Sequence, residues 1–116
     1  KIPKAMSQTA KTLKIKVGVL KRNLKDLEYA EKELAREKER LEKFTAAGKD
    51  EHDLRQQQWC IDEAVAMIPD SKQRIGKAYD DLMEFMGKCA DDADVKDSED
   101  FAMAQALCNQ AEEICA

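Results

Sequence analysis

The feature that most constrains this chain is an apolar stripe between Asp50 and Met86 that contains a proline. Its members alternate at spacings of four and three, which places side chains on one face of an α-helix. They are Leu54, Ile61, Val65, Ile68, Ile75, Tyr79, Leu82 and Met86, with Gln58 and Lys72 as polar interruptions. Because the spacing stays in phase on both sides of Pro69, we predict one long helix kinked at Pro69 rather than two separate helices.

The first part of the chain carries a second stripe of the same kind. Leu13, Leu20, Leu27, Leu34 and Leu41 recur every seven residues, with Val17 and Leu24 at the interleaved positions. Such a repeat predicts a long amphipathic helix. We expect this helix to run from about Gln8 to Ala46 or Ala47, with Gly48 as its C-terminal cap.

Short connections and one further helix complete the predicted secondary structure. Asp50 fits an N-terminal cap for the second helix, which should run antiparallel to the first and end near Lys88. The acidic stretch 91–94 is typical of a solvated loop, and Asp97 or Ser98 can cap a third helix. The stripe of that helix consists mostly of small side chains: Phe101, Ala104, Cys108, Ala111 and Cys115.

Together these elements predict an all-α fold. We expect an elongated up-down-up three-helix bundle with two long helices, the second kinked at Pro69, and a shorter third helix. A chain of 116 residues fits a single domain, 1–116, with a flexible N-terminal segment at about 1–7. The third helix is too short to cover the far ends of the first two, so we expect a bare two-stranded coil there.

The composition argues against several classes of function. Charged residues make up 38% of the chain and aromatic residues 5%, which is typical of long amphipathic helices. No apolar run approaches the ~18 residues that span a membrane, and no signal-peptide core is visible. The four cysteines form no C-x-x-C pair, which favours buried reduced thiols over disulfides. A single histidine, His52, argues against a zinc site, so we expect no metal and no cofactor.

Charge is distributed unevenly along the chain. Residues 1–25 carry eight Lys or Arg and no acid, whereas residues 89–116 carry eight acids and one base. An up-down-up bundle would lay these segments side by side, so one interpretation is internal charge complementarity. The other is an exposed basic surface for an acidic partner. Nucleic-acid binding is disfavoured because no aromatic residues interleave with the lysines and the net charge is −4.

The sequence contains no catalytic constellation. His52 has no cysteine or serine near it in the chain, and acidic pairs such as Asp62-Glu63 fall off the apolar stripe. We therefore do not expect an enzyme. Trp59 lies one position off the stripe, and two interpretations have equal weight: an anchor for a binding partner, or packing across the first helix.

Two segments resemble the tubulin-binding cofactor A family, also called the tubulin-specific chaperone A family. The first is Lys14-Ile15-Lys16-Val17-Gly18-Val19-Leu20-Lys21-Arg22. The second is Met67-Ile68-Pro69-Asp70, followed by Gln73-Arg74 and Ala78-Tyr79-Asp80-Asp81-Leu82. They occur in the family's order across roughly residues 11–88, and a Met-Ile-Pro-Asp break inside a heptad helix is uncommon.

The resemblance implies a three-helix bundle that acts in β-tubulin folding. Such a cofactor captures β-tubulin intermediates released from the cytosolic chaperonin and holds them by stoichiometric binding, without nucleotide or metal. It would be cytoplasmic and associated with the cytoskeleton, as a monomer or homodimer, with other tubulin-folding cofactors as possible further partners. No nucleic acid and no membrane are expected as partners.

The matched motifs also supply the candidate partner-binding residues. These are Lys14, Lys16, Lys21, Arg22, Pro69, Asp70 and Arg74. Since tubulin is acidic, the basic members of this set would steer its encounter with the chain. The alternative is a generic coiled-coil or spectrin-like scaffold that associates with itself, motivated by Leu34, Leu41 and Phe44 at the bare two-helix end.

Overall fold

The computed structural model describes residues 7–115, and its regular structure is entirely helical over that range. The helices are α1 (Gln8–Ala46), α2 (Glu51–Lys88), α3 (Ala93–Lys96) and α4 (Glu99–Cys115). The predicted all-α class is confirmed. The flexible segment expected at residues 1–7 lies outside the described residues except for Ser7.

Helix α1 has a capped start and a capped end. The Ser7 hydroxyl accepts a hydrogen bond from the Ala10 N–H at 3.1 Å, which is the N-cap arrangement. At the other end Gly48 adopts φ 70°, and the Lys49 N–H donates to the Phe44 carbonyl at 3.1 Å. This is a Schellman motif, in which glycine avoids the cost of the left-handed conformation. The predicted cap at Gly48 is confirmed.

Helix α2 begins at the predicted cap and continues through the proline. The Asp50 carboxylate accepts a hydrogen bond from the Asp53 N–H at 2.9 Å, immediately before the helix. Pro69 lies inside α2 and is exposed, so its ring occupies the solvent side of the helix. The prediction that the helix does not break at Pro69 is confirmed.

We expect Pro69→Ala to raise the free energy of unfolding by up to about 3 kcal/mol. Alanine restores an N–H that can donate to the carbonyl of Val65, and it removes the steric conflict of the ring with the preceding turn. Urea unfolding followed by circular dichroism measures the change. Ala66→Pro, at an exposed position of the same helix, is the matched reverse substitution and should destabilise by a similar amount. A loss of stability in Pro69→Ala would contradict this prediction.

The acidic stretch after Cys89 differs from its prediction. Residues 91–94 were expected to form a solvated loop, but the single-turn helix α3 begins at Ala93. The Asp92 carboxylate caps it by accepting from the Val95 N–H at 3.3 Å, and the Val95 side chain is 1% exposed. The turn therefore contributes Val95 to the core, while Asp91 and Asp94 are exposed and Asp92 is half-buried. The described chain has four helices rather than three.

Helix α4 begins after Ser98, one of the two predicted caps. The Ser98 hydroxyl accepts from the Phe101 N–H at 3.2 Å and donates to the Val95 carbonyl at 2.6 Å. Its buried residues are Phe101, Ala104, Cys108 and Ala111, which confirms most of the predicted stripe. Cys115, the last predicted member, is exposed.

The described residues form two compact units. The first contains residues 7–24 and 74–115, and the second contains Lys25–Gln73. The core of the first unit combines leucines of α1 with the second half of α2, α3 and α4. Its members are Leu13, Val17, Leu20, Leu24, Ile75, Leu82, Met86, Cys89, Val95, Phe101, Ala104, Cys108 and Ala111.

The second unit has a smaller core with polar members. Leu27, Ala30, Ile61 and Ala64 are its buried hydrophobic residues, and Gln57 and Ser71 are buried with them. The Gln57 side-chain amide donates to the Glu37 carbonyl at 2.9 Å and to the Glu37 carboxylate at 2.8 Å. Each donor of this buried amide is therefore satisfied, and the bonds join α1 to α2.

The predicted apolar stripe of α2 is wrong in part of this second unit. Val65 is 46% exposed and Ile68 is only half-buried, whereas their neighbours Ala64 and Ser71 are buried. The residues that face α1 thus include a Gln, an Ala and a Ser. Small side chains permit two helices to approach closely. The burial of the polar Gln57 side chain is tolerated because its amide is fully hydrogen-bonded.

Candidate partner-binding surface

A basic face runs along α1 in the first unit. Lys14 and Lys21 are seven residues apart, so they share one side of the helix, and Arg22 lies beside Lys21. All three side chains are exposed. None has an ion-pair partner among residues 7–115, so their charges are available to an acidic partner.

Two apolar side chains lie on the same helix and were not among the predicted site residues. Ile15 is 66% exposed and Val19 is 46% exposed, four residues apart on one face. The sequence did carry a signal for them, because both lie outside the apolar stripe of α1. We name Lys14, Ile15, Val19, Lys21 and Arg22 the α1 face, which combines free cations with apolar surface.

Lys16 is engaged within the molecule. Its ammonium group lies 2.7 Å from the Asp81 carboxylate of α2 and 5.5 Å from the centre of the Phe85 ring. The side chain is 25% exposed, in contrast to Lys14 and Lys21. A partner that used Lys16 would have to compete with this salt bridge and cation–π contact. The ion pair joins the basic segment to α2, so complementarity with the acids after Cys89 stays a prediction.

The other predicted site residues lie on α2. Arg74 is exposed, and its carbonyl accepts a hydrogen bond from the Asn23 side chain at 3.5 Å. Arg74 is therefore level with Arg22 and Asn23 within the first unit. Pro69 and Asp70 belong to the second unit, where both are exposed. The structure thus places Arg74 beside the α1 face.

Trp59 projects from α2 in the second unit with 62% of its surface exposed. Of the two interpretations weighed for it, packing across α1 does not describe this exposure. Large aromatic side chains that remain exposed are over-represented in protein interfaces. Trp59 therefore remains a candidate anchor for a partner.

Tyr79 joins α2 to α4 within the first unit. Its hydroxyl donates a hydrogen bond to the Glu112 carboxylate, with 2.5 Å between the oxygens. This hydrogen bond, together with partial burial, raises the pKa of Tyr79 to about 12 from the ordinary value of 10.0. Tyr79 was predicted as a member of the apolar stripe of α2, and its side chain is half-buried.

Alkaline titration should show this hydrogen bond directly. A raised pKa favours the folded state fully below pH 10, and the contribution is lost as the pH rises through about 12. Tyrosinate absorbance of the folded protein should therefore show one of its two tyrosines ionising late. Tyr79→Phe should remove the late step, and Glu112→Gln should move it to lower pH. Ionisation of Tyr79 near pH 10 in the folded protein would contradict the contact.

The buried cysteines, Cys89 and Cys108, are expected to be unreactive thiols. Burial raises the pKa of the Cys89 and Cys108 thiols, which keeps them protonated at neutral pH. No cysteine within residues 7–115 forms a disulfide. The same residues contain no group of three His, Cys, Asp or Glu side chains that could hold a metal ion.

None of the helices within residues 7–115 combines the length and apolar character needed to cross a lipid bilayer.

The fold and surface together define a helical protein that offers charged and apolar helix faces to a partner. Residues 8–108 match the family described as Tubulin binding cofactor A. The chain belongs to this family.

Its relatives include human Tubulin-specific chaperone A, which is 32% identical over 93 residues, covering 80% of this chain and 83% of the human protein. The crystal structure of tubulin folding cofactor A from Arabidopsis thaliana superposes with a TM-score of 0.81 at 30% identity, covering 90% of this chain and 96% of that one. Tubulin-binding cofactor A from Leishmania major superposes with a TM-score of 0.80 at 34% identity, covering 95% and 99%.

Proposed function

We propose that this protein is a tubulin-folding cofactor that captures and holds β-tubulin folding intermediates released from the cytosolic chaperonin. The observation that carries the proposal is the family match over residues 8–108, which includes α1, α2 and most of α4. Binding is stoichiometric, with neither nucleotide nor metal, and no reaction is catalysed. The protein works in the cytoplasm in association with the cytoskeleton, as a monomer or homodimer, alongside other tubulin-folding cofactors.

The proposal includes the arrangement of the chain as one domain. The long helices α1 and α2 and the shorter α4, with the single turn of α3 in the connection before α4, suit an up-down-up three-helix bundle with α2 kinked at Pro69. Such a bundle presents long helix faces rather than a deep pocket. A folding intermediate exposes extended apolar surface, and a long face with mixed charged and apolar side chains matches that kind of client.

The α1 face is the proposed contact with tubulin, together with Arg74 beside it and with Pro69 and Asp70 in the second unit. Lys14, Lys21 and Arg22 carry charges with no ion-pair partner among residues 7–115, which supports steering of an acidic partner. Ile15 and Val19 add apolar area that can be buried on contact. Lys16 contributes indirectly, because its contacts with Asp81 and Phe85 hold α1 against α2.

Capture of purified β-tubulin, with α-tubulin as the comparison, tests the proposal. Lys21→Glu combined with Arg22→Glu should slow association by about tenfold or more and reduce its dependence on salt. The matched control is Lys32→Glu with Arg36→Glu, which makes the same change in charge at exposed positions of α1 in the second unit. Equal association of both double variants would contradict the surface assignment.

A wild-type protein that captures no tubulin would overturn the function itself. Light scattering of the protein alone then measures the alternative, a self-associating coiled-coil scaffold. The feature that motivates this alternative is present, because Leu34, Leu41 and Phe44 are only half-buried. The family match favours the cofactor over the scaffold.

A further inference from the structure

A groove in the second unit has not been used by the proposed function. It lies between α1 and α2, and we name it the Trp59 groove. Its apolar lining comes from α2: Trp59, Ala64 and Met67, with Cys60 beside them. Trp59 is 62% and Met67 58% exposed, whereas Ala64 is 7% exposed. A small residue thus forms the floor and two large apolar side chains stand at the sides.

The rim of the groove is mainly acidic. Glu33, Glu37 and Glu63 line it, with Arg40 as its cation. Glu63 has no ion-pair or hydrogen-bond partner among residues 7–115. Glu33 is 3.6 Å from Arg36, which offsets its charge, whereas Glu37 accepts a hydrogen bond from the Gln57 amide and has no cation within ion-pair distance among residues 7–115. The rim therefore favours a cationic partner, which is the opposite preference to that of the α1 face.

The dimensions of the groove suit a helix. Trp59 and Met67 are eight residues apart on α2, a separation of about 12 Å along the axis. Side chains at positions i, i+4 and i+7 of a bound helix span a similar length, and this spacing is the usual one for helices docked in grooves. The hydrogen bond between Gln57 and Glu37 also sets the register of the helix pair, which puts Tyr29 level with Val65. Tyr29 is 62% exposed, and the Arg36 guanidinium lies 5.8 Å from the centre of its ring.

We propose that the Trp59 groove binds an amphipathic helix of another protein, with apolar side chains on Trp59 and Met67 and with Lys or Arg flanking them. Apolar burial provides the affinity, and the acidic rim selects the charge of the flanks. This surface is distinct from the α1 face and does not depend on tubulin binding. The protein would therefore hold two partners of opposite charge character.

Synthetic peptides test the proposal with the intact protein. Two amphipathic peptides of about 18 residues share one aliphatic face, and their flanks carry Lys in one and Glu in the other. Trp59 is the single tryptophan, so its fluorescence reports occupancy of the groove. The Lys peptide should shift that fluorescence and bind at least about tenfold more tightly than the Glu peptide, with a preference that weakens as salt is added.

Variants of the groove complete the test, with binding followed by anisotropy of a labelled Lys peptide. Trp59→Ala should weaken binding by about tenfold or more, and Glu63→Lys should remove the preference for the Lys peptide. The matched controls lie on α4: Met103→Ala at an exposed apolar position and Glu113→Lys at an exposed acid. Since Trp59 and Glu63 are exposed, their variants should melt like the wild type.

Three outcomes would overturn the proposal. They are unchanged binding of the Lys peptide to Trp59→Ala, equal binding of the Lys and Glu peptides, and no binding of either peptide. Sedimentation of the protein without peptide tests whether a second copy of this chain occupies the groove. Self-association that Trp59→Ala abolishes would assign the groove to a second copy of this chain instead.

Discussion

Replacing Ile75 with Asp is expected to unfold the protein. Ile75 is 0% exposed in the core of the first unit, so the substitution places a carboxylate where neither water nor a cation can reach it. The loss should be about 4 kcal/mol or more, which is most of the stability of an ordinary small domain. Urea unfolding followed by circular dichroism gives the free energy, and the variant should be largely unfolded at 37 °C.

The matched comparison is Ile68→Asp in the same helix. Ile68 is half-buried, so its carboxylate would keep part of its hydration, and the loss of stability should be clearly smaller. The earlier expectation from sequence alone placed Ile68 in the central stripe, where the effect would have been as severe. Equal destabilisation by the two substitutions would contradict the burial of these residues.

Replacing Phe101 with Ala should release α4 from the core. The other buried residues of α4 are Ala104, Cys108 and Ala111, which bury little apolar area, so Phe101 is the largest buried side chain of the helix. Deleting a buried phenylalanine ring costs about 3–5 kcal/mol. Because the area lost belongs to one helix, we expect α4 to open before the rest of the first unit unfolds.

Thiol chemistry measures that opening. Cys108 is 3% exposed in the folded protein, so it should react slowly with a thiol reagent until α4 detaches. With Cys60 and Cys115 replaced by Ser to remove background, Phe101→Ala should speed labelling by about a hundredfold or more. Met103→Ala, at a 45% exposed position of the same helix, should leave the rate nearly unchanged. Slow labelling in Phe101→Ala would show that α4 is held by other contacts.

The helix ends were predictable because their signals are local. Gly48 closes α1, Asp50 caps α2 and Ser98 caps α4, each through hydrogen bonds to residues within five positions in the chain. Such bonds depend on the type of a few neighbouring side chains and little on distant packing. The continuity of α2 through Pro69 was predictable for a related reason, since the apolar phase is the same on both sides.

For the buried face of α2 in the second unit, the prediction was displaced by one residue along the chain. Hydropathy favoured Val65, but the structure buries Ala64 and Ser71 and leaves Val65 exposed. Which residues of α2 are buried depends on the distance between α1 and α2 and on the hydrogen bonds from Gln57 to Glu37. These two residues lie twenty positions apart in the chain. Periodicity ranks residues by hydrophobicity and carries no information about such a partner.

The exposure of the candidate partner-binding residues was predictable in part, and their role in binding stays a prediction. The positions of Lys14, Lys21 and Arg22 on one exposed side of α1 follow from helical spacing alone. The salt bridge of Lys16 with Asp81, at 2.7 Å, does not follow from helical spacing. The sequence places a lysine at this position but does not show which residue of α2 lies next to it. The burial of Val95 next to an acidic stretch could not be predicted either, because it depends on the packing of α3 against the core of the first unit.

The sequence alone determined the helical class, the ends of the long helices and the family resemblance. Those properties are encoded by residue type at short spacings, where caps and apolar repeats act within a few turns. Tertiary structure alone decided which lysines remain free, which face of α2 is buried in the second unit and where Trp59 is exposed. Each of these depends on side chains from another helix, and their free energy comes from contacts that local pattern does not specify.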